Sequence, residues 1–134
     1  MTNQDQTHTA KVCIQKATYD TIDLESLLQP LGGITSYVHK GEHVLLKLNL
    51  LNASTPEKAV VTDPQLVRKV AEAVLKAGAT PIIGDSPGGP FSKRRLKKVY
   101  EKAGLLDLSS DLGIELNYDT NTTDVQIPDG KQLT

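Results

Sequence analysis

Hydrophobic and polar positions change their spacing several times along the chain, and these changes predict alternating strands and helices. Residues 11–17 alternate between polar and apolar side chains, a pattern typical of a half-buried strand. Residues 43–48 are mostly apolar, which is typical of a strand buried on both faces of a sheet. Two further short apolar runs, at residues 80–84 and 114–116, predict two more strands.

Helical spacing fills the segments between these strands. Residues 22–31 predict a short helix that ends at a proline and two glycines. A longer helix is predicted from Pro64, with Asp63 or Thr62 as its N-cap, and Ser92 is predicted to cap a third helix. The predicted inward stripes of these two helices are Val67, Val70, Ala71 and Val74, and Leu96, Val99, Tyr100 and Ala103.

The order of these elements, strand–helix–strand–helix–strand, indicates the fold class. Residues 105–112 are predicted to add a further turn or two of helix before the last strand. Helical connections between successive strands favour parallel strands and right-handed crossovers. The sequence therefore predicts an α/β layered fold with a mainly parallel sheet flanked by helices.

Composition and charge exclude several functions. The chain has 134 residues, and its 15 Lys and Arg against 16 Asp and Glu give a formal net charge of −1, which argues against non-specific nucleic-acid binding. Aromatic residues make up 4% of the chain, so a surface that stacks single-stranded bases is not expected. No segment approaches the roughly 18 apolar residues that span a bilayer. Cys13, the sole cysteine, is expected to be a small core residue.

The two ends of the chain carry different signals. Residues 1–9 are polar, lack the apolar region of a signal peptide and are predicted to be a disordered tail. With a lone cysteine, this predicts a cytoplasmic protein. Residues 10–134 are predicted to form a single α/β domain. A strand at residues 125–127 followed by the turn Asp129-Gly130 indicates either a short terminal hairpin or the N-terminal part of a longer protein.

Two predicted loops leave the carboxyl ends of neighbouring strands, which is where ligands collect in open parallel sheets. Lys47 and Asn49 stand where the first loop begins. A cation beside an amide suits a carboxylate, a phosphate or a carbonyl oxygen. The other interpretation is an edge-facing lysine and a turn asparagine.

The second loop, residues 84–89, is rich in glycine. Gly88 and Gly89 would let the backbone approach an anion closely. Asp85 would bind a divalent cation or a ligand hydroxyl, or it is simply an aspartate that caps the loop. The loop lacks the Lys-Ser/Thr pair of a P-loop, and the chain contains no G-x-G-x-x-G dinucleotide fingerprint.

A run of cations begins the third predicted helix. Lys93, Arg94 and Arg95 occupy its first turn, and Lys97 and Lys98 follow. The helix dipole disfavours cations at this end, so a bound anion would stabilise the arrangement, with Arg94 as the candidate ligand-binding residue. The alternative is a solvated basic face.

Three segments carry a resemblance to a known family. They are the strand end K-L-N at residues 47–49, the helix start T-D-P at residues 62–64 and the loop G-D-S-P-G at residues 84–88. Together they resemble the domain of unknown function 362 family, over about residues 10–127. The motif positions shared with the family are Lys47, Asn49, Thr62, Pro64, Gly84, Asp85, Ser86 and Gly88.

The resemblance implies a redox or iron–sulfur context, because many members of this family are longer and carry ferredoxin-type 4Fe–4S motifs. Cys13 alone cannot ligate such a cluster, so we expect no cofactor within this chain. Any cluster is expected in a missing C-terminal region or in a partner.

Two functional hypotheses follow. The first is a domain that binds a small anionic ligand or substrate, with Lys47 and Asp85 as candidate catalytic residues. The candidate ligand-binding residues are Asn49, Thr62, Ser86, Gly88, Gly89 and Arg94. The alternative is a non-catalytic domain whose basic helix docks an acidic partner such as a ferredoxin. The residues do not indicate which reaction, if any, takes place, nor an oligomeric state.

Overall fold

A three-stranded parallel sheet organises residues 10–126, the part of the chain that the computed structural model describes. Its strands are β1 (His43–Lys47), β2 (Thr80–Gly84) and β3 (Glu115–Leu116), and they lie in that order. Both strand pairs are parallel. These features confirm the predicted α/β fold class.

Four α-helices accompany the strands in this region: α1 (Leu24–Leu28), α2 (Pro64–Lys76), α3 (Lys93–Lys102) and α4 (Leu105–Leu112). The carboxylate of Asp63 accepts the Gln65 N–H at 2.8 Å, so Asp63, and not Thr62, is the N-cap of α2. Ser92 caps α3 as predicted, by accepting the Arg95 N–H at 3.4 Å. The extra helical turns predicted at residues 105–112 are α4.

The main hydrophobic core lies on one side of the sheet, between the strands and helices α2, α3 and α4. In register, Leu46 of β1, Ile83 of β2 and Leu116 of β3 form the row of strand residues that faces this core. The helices supply the residues predicted as inward stripes, with the exception of the half-buried Val70. The buried ones in this core are Val67, Ala71, Leu96, Val99, Tyr100 and Ala103. Val74 is also buried, in a smaller cluster with Val38 and Ala79.

The prediction that β1 is buried on both faces is wrong. Its burial alternates, and the side chain of Leu45 is 58% exposed. β1 pairs only with β2, so it is an edge strand, and the helices cover one face of it. An apolar run indicates a strand, but it does not show how many layers cover that strand.

The predicted strand at residues 11–17 is also wrong. These residues lie in coil, where Val12 is 77% exposed and Ile14 is 91% exposed. Cys13, expected in the core, is partly exposed in the same segment. The alternation is present in the sequence, but a strand forms only against a partner edge, and the described residues provide none there.

The predictions for the two ends fall mostly outside the described residues. The tail at residues 1–9 and the turn at Asp129-Gly130 are among these. Of the strand predicted at residues 125–127, Val125 and Gln126 are described, and both lie in coil. Between residues 10 and 126, no helix is long and apolar enough to cross a membrane.

Candidate functional site

Two loops leave the sheet at the carboxyl ends of β1 and β2, which lie at the same edge because the strands are parallel. The first, residues 48–63, is closed at its neck. The Asn49 N–H donates to Thr62 Oγ1 at 3.0 Å, and the Thr62 N–H donates to the Asn49 carbonyl at 3.1 Å. Leu50 and Val61 form an antiparallel bridge next to this pair. Asn49 and Thr62, both predicted as ligand residues, therefore fix the loop, while the Asn49 residue stays exposed.

Asp85 joins the first loop to the second. Its Oδ1 accepts a hydrogen bond from Lys47 Nζ at 2.8 Å, and its Oδ2 accepts the Leu50 N–H at 2.7 Å. The Asp85 side chain is 6% exposed, whereas that of Lys47 is 68% exposed. The register of β1 and β2, which pairs Lys47 with Gly84, places the two charged residues together. Lys47 is thus held at its tip and remains open to solvent.

The environment of Asp85 determines its charge. Burial acts to raise the pKa of this carboxyl, but hydrogen bonds from Lys47 and from the N–H groups of Leu50 and Ser86 outweigh burial and lower the pKa below the ordinary 3.8. Asp85 is therefore a carboxylate at neutral pH, with both oxygens engaged. A divalent cation at Asp85 would have to displace Lys47. The described region brings together no group of three or more His, Cys, Asp or Glu side chains that could hold a metal.

The glycine-rich loop, residues 84–89, lies against the first loop and against α3. A Cβ atom added to Gly88 would lie 3.9 Å from the Leu51 carbonyl oxygen. Gly89 has a φ of +87°, and a Cβ atom there would lie 3.2 Å from the guanidinium carbon of Arg95. Glycine is therefore favoured at position 89 for two reasons: it adopts the positive φ of the turn, and it lets the Arg95 guanidinium approach the backbone closely. Ser86 and Gly88 are exposed.

Arg95 is the residue that sequence reasoning missed as a site residue. Its Nε is buried and has no hydrogen-bond partner among residues 10–126. Arg94, the predicted ligand residue, is exposed. Helical spacing holds the signal that distinguishes them: Arg95 precedes the buried Val99 by four residues, so both lie on the inward side of α3.

Tyr100 anchors the back of the same edge. It is fully buried, and its hydroxyl donates to the Asn117 carbonyl at 2.7 Å. Burial raises the pKa of Tyr100 to about 12. The ring of Tyr118 meets it edge-on, with ring centres 5.3 Å apart. This contact ties α3 to the chain that leaves β3.

The residues of this chain do not fit an iron–sulfur cluster. Cys13 is the sole cysteine, and it lies in the coil segment at residues 11–17. A 4Fe–4S cluster needs four ligands, commonly thiolates. Cys13 alone is therefore too few ligands for such a cluster.

The fold and the site define a class of protein: an α/β domain with a parallel sheet and a charged, glycine-containing edge at the carboxyl ends of its strands. The sequence profile of a family described as "Domain of unknown function (DUF362)" matches residues 44–134. This chain belongs to that family, as the motifs at its strand ends indicated.

The chain is similar to the thylakoid-associated protein sll1697 of Synechocystis sp. (strain ATCC 27184 / PCC 6803 / Kazusa). It is 42% identical to this chain over 93 residues, which are 69% of this chain and 28% of the relative. The chain thus spans little more than a quarter of the length of that relative. No solved structure matches the chain.

Proposed function

We propose that this domain binds a small anionic ligand, a carboxylate or a phosphate, at the edge formed by the loops at residues 48–63 and 84–89. The observation that carries the proposal is the buried, unpartnered Nε of Arg95 beside Gly89. A buried donor without an acceptor costs roughly 1–3 kcal/mol. An anion at this position would accept from it and remove that cost.

Three further features support an anion at this edge. The first turn of α3, which carries free N–H groups and the positive end of the helix dipole, begins shortly after the glycine-rich loop in the chain. Ser92 caps only the Arg95 N–H of that first turn. Lys47 supplies a second, solvent-accessible cation, and Asp85 fixes its position. Asp85 serves here as a positioning carboxylate, because its lowered pKa and its two hydrogen bonds make it a poor proton donor at neutral pH.

Titration with inorganic phosphate and with succinate, followed by amide chemical shifts, tests this proposal. We expect shifts at Gly88, Gly89 and Arg95, and a loss of affinity of about tenfold or more in Arg95→Gln, since one charged hydrogen bond contributes roughly 1.5–3 kcal/mol. Arg94→Gln is the matched control: it makes the same charge change one residue away, at an exposed position. An equal loss in both variants would mean that the anions respond only to the diffuse charge of α3.

A second function, docking of an acidic partner, is favoured by a different observation. Five cations of α3 are exposed: Lys93, Arg94, Lys97, Lys98 and Lys102. The Lys and Arg ion pairs formed between residues 10 and 126 use Lys47, Arg68 and Lys76, which lie outside α3. An unpaired cationic face accelerates and orients association with an acidic protein surface.

Charge reversal separates docking from anion binding. We expect Lys97→Glu with Lys98→Glu to weaken binding to an acidic ferredoxin strongly at low salt and to leave phosphate binding at Arg95 unchanged. Lys40→Glu with Lys58→Glu makes the same total charge change at exposed residues outside α3. If this control pair weakens ferredoxin binding equally, or if binding is insensitive to salt, α3 is not the docking face.

The place of the protein in the cell stays a prediction. The sequence predicts the cytoplasm, and the Synechocystis relative is named as a thylakoid-associated protein. We propose that the folded domain lies on the cytoplasmic side, with any membrane association made through a partner. Cell fractionation with a salt wash tests this: the protein should be released without detergent.

A further inference from the structure

Residues 10–126 leave one face of the sheet without a covering layer. By the register of the strands, Leu45, Ile82 and Glu115 form a row on the face opposite the main core. Leu45 is 58% exposed, Ile82 is half-buried and Glu115 is exposed. Gly84 lies on the same face, two residues after Ile82. Because it has no side chain, the Leu45 Cδ1 and Asn117 Cβ atoms can approach its backbone. Sheets made entirely of parallel strands occur almost only with both faces covered.

The direction in which the strands are added explains why helices α2, α3 and α4 all lie on one face of the sheet. β1, β2 and β3 follow one another across the sheet in a single direction. Right-handed crossovers then place every connecting helix on the same side. A chain that returned to add a strand at the free edge of β1 would cross in the opposite direction. Its right-handed crossover would place a helix on the bare face.

The size of the face indicates what fits it. Three strands of five residues or fewer present roughly 240 Å² at ordinary strand spacings. A stable homodimer buries about 800 Å² on each partner, so a second copy of the chain is not held by this face alone. One α-helix, about 10 Å across with its side chains, matches the face. A helix of the same polypeptide needs no large interface, because it is already tethered.

We propose that an amphipathic helix of the same polypeptide covers the Leu45–Ile82–Gly84 face, and that the strand after this helix pairs with the free edge of β1. The length of the Synechocystis relative, of which this chain matches 28%, supports a source for that unit in a longer polypeptide. The helix would present an apolar stripe to Leu45 and Ile82. A basic residue of this helix would face Glu115.

Thiol labelling of the polypeptide as its gene encodes it tests the proposal. In a Cys13→Ser background, the introduced thiol of Leu45→Cys is compared with that of Leu75→Cys, a residue on α2 that is 40% exposed, and the labelled peptide is identified by mass spectrometry in each case. Each rate is normalised to the rate of the same variant in denaturant. We expect the Leu45→Cys thiol to react at least about tenfold more slowly than the Leu75→Cys thiol, since a helix that covers the face excludes the reagent.

Several outcomes would overturn the proposal. Equal normalised rates would show that the face is open. Protection that disappears on dilution would assign the cover to a second copy. Hydrogen exchange of the unsubstituted polypeptide is the second readout: alternate N–H groups of β1 point away from β2 and exchange fast unless another strand pairs with them. Fast exchange at all of them would contradict the added strand.

Discussion

Asp85 shows how a single side chain connects the fold to the site. It is nearly buried, yet it keeps a solvent-accessible lysine in place through Oδ1 and fixes the start of the first loop through Oδ2. The same carboxylate therefore stabilises the fold and orders the proposed anion site. Substitution of Asp85 is expected to change both properties, whereas substitution of Arg95 is expected to affect ligand binding most.

We expect Asp85→Asn to lower the free energy of unfolding by about 1–2 kcal/mol. The amide retains one acceptor oxygen and loses the other, so either Lys47 or the Leu50 N–H is left without its partner. Urea denaturation measures the change. Asp111→Asn is the control, because Asp111 is 62% exposed in its ion pair with Arg68 and should cost less than about 0.5 kcal/mol. Equal losses would contradict the assigned role of Asp85.

The pKa of Asp85 also predicts a dependence on pH. Its pKa is lower in the folded protein than the ordinary 3.8, so the carboxylate stabilises the fold above that value. That stability is lost as the pH falls through the folded pKa. We expect the free energy of unfolding to decline in acid, and to decline less in Asp85→Asn. Glu42 and Glu57, whose pKa values are also lowered, account for part of the remaining decline. Parallel profiles for the two proteins would contradict this prediction.

Tyr100→Phe should cost about 1–2 kcal/mol, because it leaves the partly buried Asn117 carbonyl without its donor. Its pKa of about 12 is raised above the ordinary 10, so the neutral phenol adds stability below pH 10 that is lost as the pH rises through 12. Unfolding measured at alkaline pH should show this loss in the wild type and not in the variant. Tyr37→Phe, at a residue that is 59% exposed, should change stability little.

The sequence predicted the chemistry of the site residues better than their contacts. Lys47 and Asp85 were identified because each stands where a strand ends. Their contact depends on the register between β1 and β2. Because Lys47 and Asp85 are 38 positions apart in the chain, no local pattern in the sequence indicates this contact. Arg95 was assigned to a basic run, because the position of the glycine-rich loop relative to α3 is a tertiary property.

At the scale of elements, the N-caps of α2 and α3 differ in the length and charge of their hydrogen bonds. Asp63 accepts the Gln65 N–H at 2.8 Å with a charged oxygen, whereas Ser92 accepts the Arg95 N–H at 3.4 Å. We expect Asp63→Ala to cost about 1 kcal/mol and Ser92→Ala about 0.5 kcal/mol, because the first bond is shorter and its charge also favours the helix dipole. Denaturant midpoints measure both. A larger loss in Ser92→Ala would mean that Ser92 holds more than the cap.

Helices were predicted well and strands less so, for a physical reason. Caps and inward stripes are local features, so α2, α3 and α4 follow from short stretches of sequence. A strand depends on a partner that is distant in the chain. Residues 11–17 carry the strand pattern without a partner among the described residues, and β1 carries a buried pattern with one open face.

At the scale of the whole molecule, the segment at residues 11–17 should contribute little to stability. Val12 and Ile14 are 77% and 91% exposed, so Val12→Ser with Ile14→Ser should change the free energy of unfolding by less than about 0.5 kcal/mol. Val74→Ala, at a residue that is 1% exposed, should cost about 1–3 kcal/mol and shows the sensitivity of the measurement. A loss above about 1 kcal/mol in the double variant would show that this segment packs against the domain in solution.

The closed neck of the first loop has a consequence for how such a protein diversifies. The paired bonds between Asn49 and Thr62, with the Leu50–Val61 bridge, hold the two stems of the loop whatever lies between them. Residues 51–60 can then gain or lose length while β1 and α2 keep their positions, since added loop length costs little once the ends are fixed. The strands and helices can thus stay unchanged while the loop varies, and ligand preference can evolve in the loop without a new fold.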